Sequence, residues 1–295
     1  MISGVLVIDK PPGPTSHDMV AVARRVLGER RIGHCGTLDP EATGVLVLAV
    51  GQATRLVQFL SSERKHYDAT VRFGRTTNTF DTEGEVTSES DARPSKDAVE
   101  GALAGFRGAF LQTPPAFSAK KVAGHRAYDL ARREDRPGPV LPPVPVTAYE
   151  LELTAFDGET ATLSLVVSAG FYVRSLANDL GRALGMGGVL ASLRRTRAGS
   201  FGLADAVTAD VLATAGREAV LDRLVPMERL LTDLPAVALG EDQAARARRG
   251  MDLPAPSGLS PIPALARLLD PEGRLIGLAT PSKRAGFLHP SVVLG

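Results

Sequence analysis

The sequence predicts an α+β domain built on a mainly antiparallel sheet, and three observations carry that prediction. GVLVID at 4–9 and GVLVLAVG at 44–51 are short apolar runs punctuated by Gly or Asp, the length of buried strands. The stretch 146–168 alternates apolar and polar residues on either side of Asp157-Gly158, the pattern of a hairpin. Helical patterns lie between such segments without the regular βαβ alternation of a parallel sheet.

Taken in order, GVLVID is closed by KPPGPTS, whose Pro and Gly residues stop any regular element. A helix is expected next: Met19, Val20, Ala23, Val26 and Leu27 recur at helical spacing behind a Thr-Ser cap. Arg24 and Arg25 fall in its last turn and Gly28 terminates it. KHYDATVRFG (65–74) reads as a strand, and TTNTFDTEGEV after it as polar turn material. Residues 95–106 read as an amphipathic helix capped by Ser95. From 112 to about 145 a short basic helix is set among dense prolines, which predicts a mobile excursion from the core.

In the hairpin, Val146, Tyr149, Leu151 and Leu153 form one alternating set and Ala161, Leu163, Leu165 and Val167 the other. Tyr172, Leu176, Leu180, Ala183 and Leu184 then share a helix face ending at GMGG, followed by the basic, strand-like LRRTRAGSFGL. Residues 226–235 read as a junction. The remaining stretch, with LARLLDPEGRLIGLAT as a second hairpin, is long enough for a small β-rich module.

Composition bounds the function. At 295 residues with 44% hydrophobic content the chain can bury a substantial core. No apolar run has the length of a signal peptide or a membrane span, so a cytoplasmic protein is expected. One cysteine, Cys35, excludes an internal disulfide, and the five histidines never fall at metal-ligand spacing, so no metal site is expected. Gly-rich nucleotide loops, the G-x-S-x-G elbow and H-E-x-x-H are all missing. A net charge of +1 means that any nucleic-acid surface must be a local cluster of Arg and Lys.

The stretch GHCGTLDPEATGVL (33–46) sets a sharper question, because Asp39 before Pro40 suits a helix N-cap as well as a reactive carboxylate. The segment joins a helix to a buried strand, and loops so placed often carry function.

Six blocks spread over about two hundred residues, VIDKPPGPTSHD, GHCGTLDPEATGVLVLAVGQATR, KHYDATVRFGRTTNTFDTEG, QTPPAFSAKKVAGHRAYDLAR, SAGFYVRSLANDLG and LRRTRAG, resemble in order and spacing the TruB family of tRNA pseudouridine synthases. The resemblance implies the pseudouridine-synthase fold, a mainly antiparallel mixed sheet flanked by helices, over 1–230, with the RNA-binding excursion at about 112–145. It implies conversion of uridine 55 in the T-loop of tRNA to pseudouridine, with no cofactor. Residues 234–295 resemble the small RNA-binding PUA module loosely, and Cys35 stands where the family commonly has a small non-thiol residue.

By the same resemblance Asp39 matches the catalytic aspartate, Tyr67 the tyrosine that stacks on the target base, and Arg174 the arginine that pairs with the aspartate. Asp81 matches an acid that holds that arginine, while His34, Tyr172 and Leu193 match positions that line the pocket or fill the gap left by the base. The isomerisation breaks N1–C1′ and joins C5 to the same carbon, with no redox change and no external atom. It needs assistance for departure of the base, a surface to hold the free uracil, and a base for the C5 proton. Phosphate contacts are expected from Lys120, Lys121, Arg126, Arg132 and Arg133, and from Arg194, Arg195 and Arg197, although such clusters also occur as solvated faces. The implied partner is the tRNA T-arm; nothing demands a protein partner or more than a monomer.

Two rival readings stand beside this one. A binding or RNA-folding module would have no need of a carboxylate, tyrosine and arginine set. A nucleoside or glycoside hydrolase would need a second carboxylate in a defined role, and none is evident.

Overall fold

The computed structural model describes residues 2–117, 121–122, 125–126, 141–256, 258–259 and 261–294. Eight strands form the continuous path of a ten-stranded mixed sheet. Across it run Val207–Thr208, Gly4–Lys10, Thr43–Val50, Gly188–Ala198, Lys65–Phe73, Thr160–Val167, Val144–Phe156 and Gly108–Gln112. Pairing along this path is antiparallel except at Gly4–Lys10 with Val207–Thr208 and at Thr43–Val50 with Gly188–Ala198. The α+β prediction with a mainly antiparallel sheet matches this arrangement.

The first strands are apolar throughout because both their faces are covered. Leu6, Ile8, Leu46 and Leu48 pack with Met19, Val20, Ala23 and Leu27 of the helix Ser16–Leu27. Val5, Val7, Val45 and Val47 face a second cluster that contains Leu275, Leu278, Val292 and Leu294. Those four residues belong to, or directly follow, a five-stranded sheet made by Ala236–Ala238, Leu253–Pro254, Ala266–Leu269, Leu275–Pro281 and Phe287–Val293. This C-terminal sheet therefore backs the main one. LARLLDPEGRLIGLAT forms the expected antiparallel pair within it.

The helix Ser16–Leu27 carries the expected signals: Thr15 is the N-cap, reciprocally bonded to Asp18, and Gly28 closes the helix in the left-handed region with φ 64°. Ser95 caps Lys96–Leu103 by accepting the Ala98 N–H. The polar stretch after Lys65–Phe73 is the turn of a ribbon made by Arg75–Thr77 and Val86–Glu89, more ordered than a plain turn. The excursion leaves from Gln112 and returns at Val144, which are cross-strand partners at the sheet edge. Its expected mobility and the side chains of Lys120, Lys121, Arg126, Arg132 and Arg133 lie outside the described residues.

The predicted hairpin is present as Val144–Phe156 against Thr160–Val167, with one correction. A bulge between Ala148 and Glu150 turns Tyr149 out of the buried set, and it is 45% exposed. A bulge inserts a residue into one strand and so breaks the period-two rule from which Tyr149 was placed inside.

The helix Val173–Ala183 lies on the strand Gly188–Ala198 through a glycine contact. A Cβ on Gly181 would collide with the backbone of Gly187 and Gly188. Gly181→Ala is expected to cost about 1–3 kcal/mol as an overpacked contact, read as a lower denaturant midpoint. Gly101→Ala, on the open face of Lys96–Leu103 with nothing within 4 Å, is expected to be neutral or to stabilise by up to about 1 kcal/mol. Equal midpoints for the two variants would contradict the glycine contact.

Candidate active site

Residues 35–42 join Ile32–His34 to Thr43–Val50 without regular structure, so no helix follows Pro40 and Asp39 is not an N-cap. Such a segment needs partners for its own backbone when it runs through protein. The Ser16 hydroxyl accepts the Leu38 N–H at 2.8 Å and donates to the Leu38 carbonyl at 2.9 Å. Lys10 Nζ donates to the carbonyls of Pro40 at 2.7 Å and Pro11 at 2.8 Å, and the Gly13 N–H donates to Pro40 at 3.0 Å. Arg195 donates from Nη2 to Gly36, from Nη1 to Thr37 and from Nε to Val45 carbonyls, at 3.1, 3.4 and 2.6 Å.

These contacts fix the path on either side of Asp39 and leave its carboxylate for a different partner. Arg174, in the first turn of Val173–Ala183, meets it at two points: Nε to Oδ2 at 2.9 Å and Nη2 to Oδ1 at 3.2 Å. The guanidinium also donates to the Thr79 carbonyl at 3.1 Å and the Phe117 carbonyl at 2.8 Å, and Nη1 lies 3.6 Å from Asp81 Oδ2. Asp81 is oriented in turn, since its Oδ1 accepts from the Thr79 hydroxyl at 2.6 Å and the Glu83 N–H at 3.2 Å. The arginine side chain is 8% exposed while that of Asp39 is 43% exposed. A buried planar fork thus holds a carboxylate that still opens to solvent.

The opening is a cavity of about 240 Å³ lined by Asp39, Tyr67, Tyr172, Arg174, Leu193 and Lys65, among others. Tyr67 reaches it because it lies on the buried face of Lys65–Phe73, cross-strand from Leu165 on one side and Arg195 on the other. Tyr172 precedes the helix, and the Gln112 amide fixes its backbone: the Tyr172 N–H donates to Oε1 at 2.8 Å and Nε2 donates to its carbonyl at 3.0 Å. Of the residues singled out in the sequence, the fold thus brings together Asp39, Tyr67, Tyr172, Arg174 and Leu193 around one cavity, with Asp81 behind the arginine.

Other expected residues are placed differently. His34 ends the strand Ile32–His34, paired with Leu48, rather than sharing the loop with Asp39, and it is not among the cavity-lining residues. Arg194 is held by Asp9 through two bonds of 2.8 and 3.2 Å, with its side chain 41% exposed beside a second hollow lined by Asp9, Lys10 and Thr43. Arg195, expected to meet phosphate, is buried and bonded to the Asp39 loop, because alternation on the strand sends adjacent arginines to opposite faces. Cys35 is buried, which pushes its thiol up to about 12 and keeps it protonated.

Lys10, Ser16, Lys65 and Gln112 support the site and were missed, and Arg195, expected on phosphate, supports it in a different role. A lysine closing an apolar strand and a second Ser/Thr beside a helix cap were available as signals for Lys10 and Ser16. Burial lowers Lys10 to about 8 against the opposing pull of Glu41 and Asp39. Lys65 donates to the Ser61 and Glu63 carbonyls, and burial, reinforced by the nearby Arg195 charge, lowers it to about 8. Among the described residues no cluster of His, Cys, Asp and Glu is arranged to hold a metal ion, and no helix is long and apolar enough to cross a membrane.

Residues 24–173 match the model of the TruB family pseudouridylate synthase N-terminal domain, and residues 174–232 that of the tRNA pseudouridylate synthase B C-terminal domain. The tRNA pseudouridine synthase B of Solibacter usitatus is 44% identical over 296 residues, covering 99% of this chain and all of the relative. That of Dinoroseobacter shibae is 42% identical over 303 residues, covering 99% and 95%. Among solved structures, a chain of an H/ACA RNP bound to a substrate RNA containing 2′-deoxyuridine aligns with TM-score 0.72 at 25% identity, over 99% of this chain and 85% of that one. With matches across its whole length and a mixed sheet flanked by helices, the chain belongs to the TruB family of tRNA pseudouridine synthases, isomerases that convert uridine to pseudouridine in tRNA.

Proposed function

We propose that the chain isomerises uridine 55 in the T-loop of tRNA, with Asp39 as the essential group and no cofactor. The observation that carries this reading is the two-point pairing of Asp39 with Arg174 at the edge of a cavity that Tyr67 lines. The target base is stacked inside a folded RNA and must be extruded, at an unstacking cost of a few kcal/mol. A cavity of about 240 Å³ suits one pyrimidine nucleoside and excludes a paired duplex.

Within it the carboxylate assists departure of the base, either by attack on C1′ or by accepting a sugar proton, and both routes use the ionised form. N1–C1′ breaks, the uracil turns over on the Tyr67 ring, C5–C1′ forms, and the C5 proton leaves while N1 gains one. Atoms and electrons balance without a co-reactant. Arg174 keeps the carboxylate in place throughout, Asp81 holds Arg174, and Tyr172 and Leu193 confine the detached ring. His34 fills the gap in the RNA stack. Lys120, Lys121 and Arg194 contact phosphates of the T-arm.

We assign residues 1–230 to catalysis and 234–295 to a PUA-like RNA-binding module, acting as a single chain in the cytoplasm. The separate five-stranded sheet at the C-terminus, packed behind the first strands, is in keeping with a small β-rich module.

Tritium release from tRNA carrying uracil-5-³H tests the reading. Asp39→Asn is expected to lower turnover by about 10²–10⁴-fold with nearly unchanged tRNA binding; turnover at the wild-type rate would remove Asp39 from its role. Arg174→Lys keeps the charge but loses the two-point contact and the bonds to Thr79 and Phe117, and should lower turnover by about 10²-fold through misplacement of the carboxylate. Stacking is worth about 1–3 kcal/mol per base, so Tyr67→Leu should lose that contribution while Tyr67→Phe keeps it; equal rates for the two would contradict a stacking role. Replacing Lys120 and Lys121 by Gln should make the salt dependence of tRNA binding shallower by about two in log–log slope, and an unchanged slope would take both off the interface.

A further inference from the structure

The bulge that expels Tyr149 from the hairpin core puts its ring under the guanidinium of Arg64, whose Cζ lies 3.9 Å from the ring centroid. Both side chains are exposed, and Tyr149 is the only exposed large aromatic among the described residues, in a chain with four tyrosines and no tryptophan. Neither residue lines the catalytic cavity, but both are tied through the backbone to residues that do. Arg64 immediately precedes Lys65, which lines the cavity, and Thr147, two residues before Tyr149, donates its N–H to the hydroxyl of Ser168, another lining residue, at 2.9 Å. The Ser168 N–H returns a bond to the Thr147 carbonyl at 2.9 Å, so the strand bearing the ring is locked to the cavity wall.

A planar cation lying on an aromatic ring offers its outer face to a second planar group, and unpaired RNA bases stack on arginine planes as well as on rings. Among the described residues the Tyr149 ring has Arg64 as its cation–π partner, and a bulge beside a site commonly re-aims a side chain. We infer that Arg64 and Tyr149 form a second stacking platform, outside the catalytic cavity, which takes an unpaired base of the RNA flanking the extruded uridine. The inference rests on the proposed function, since it needs an RNA whose target nucleotide enters the neighbouring cavity. It adds a contact that binds a base without touching the reacting atoms, so it acts on affinity and leaves the chemical step alone.

The test measures Kd for a T-arm stem-loop, and for stem-loops that each carry one abasic nucleotide in the loop, with wild type, Tyr149→Ala, Arg64→Ala and Tyr149→Phe. Tyr149→Ala and Arg64→Ala are each expected to weaken binding of the intact stem-loop about tenfold with kcat unchanged, while Tyr149→Phe binds like wild type. One abasic position outside the target should weaken wild type by a similar factor and leave Tyr149→Ala almost unaffected, which identifies the stacked base. Wild-type affinity in both alanine variants, with tritium release by wild type intact, overturns the platform and leaves the isomerase reading standing. A loss in Tyr149→Ala that is the same for every abasic stem-loop also overturns it, because the ring then acts on the protein and not on a base. Absence of tritium release by wild type would instead refute the proposed function and the platform with it.

Discussion

The site depends on how the backbone of residues 35–42 is satisfied. This segment crosses the protein between two strands without a ladder of its own, and its buried amides and carbonyls are costly to leave unpaired. The partners come from remote places in the chain: Ser16 on Leu38, Lys10 and Gly13 on Pro40, and Arg195 on Gly36 and Thr37. Three of these four lie in the first sixteen residues and the fourth on the central strand Gly188–Ala198, so the loop is clamped by residues that precede it and by one that follows it far along the chain. A carboxylate on a clamped loop can be presented to a substrate without reorganising first, which is how electrostatic groups act in catalysis.

Charge around the loop is arranged with similar economy. Arg174 is nearly enclosed yet faces two carboxylates and two backbone carbonyls, so its desolvation is offset by charged and polar partners. Among the described residues the acceptors at hydrogen-bond distance of Lys10 and Lys65 are backbone carbonyls, and burial lowers both to about 8. The ion pair at the cavity edge therefore has neighbouring cations that hold backbone in place, and among the described residues Arg174 is the one that hydrogen-bonds the carboxylate.

The sheet joins the pieces of the site. Tyr67, Leu193 and Arg195 lie on two adjacent strands in antiparallel register, and Arg174 on the helix packed against one of them through Gly181 and Gly188. The boundary between the two matching family models falls between Val173 and Arg174, inside this unit: Asp39 and Tyr67 precede it, Arg174 and Leu193 follow it. The candidate site is thus assembled only when both segments contribute strands to one sheet.

The sequence by itself determined the order and type of most elements, since apolar runs, alternation about Asp157-Gly158 and the Thr15 and Gly28 caps act locally. Asp39, Tyr67 and Arg174 were legible through motif blocks, which also carried the family. Tertiary structure decided the rest. It sent neighbouring Arg194 and Arg195 to an ion pair with Asp9 and to the Asp39 loop, put His34 in a strand, and turned Tyr149 outward at a bulge. Periodicity reports which residues share a face, but which atoms end within hydrogen-bond distance depends on strand register and on contacts between residues more than a hundred positions apart, which no local pattern encodes.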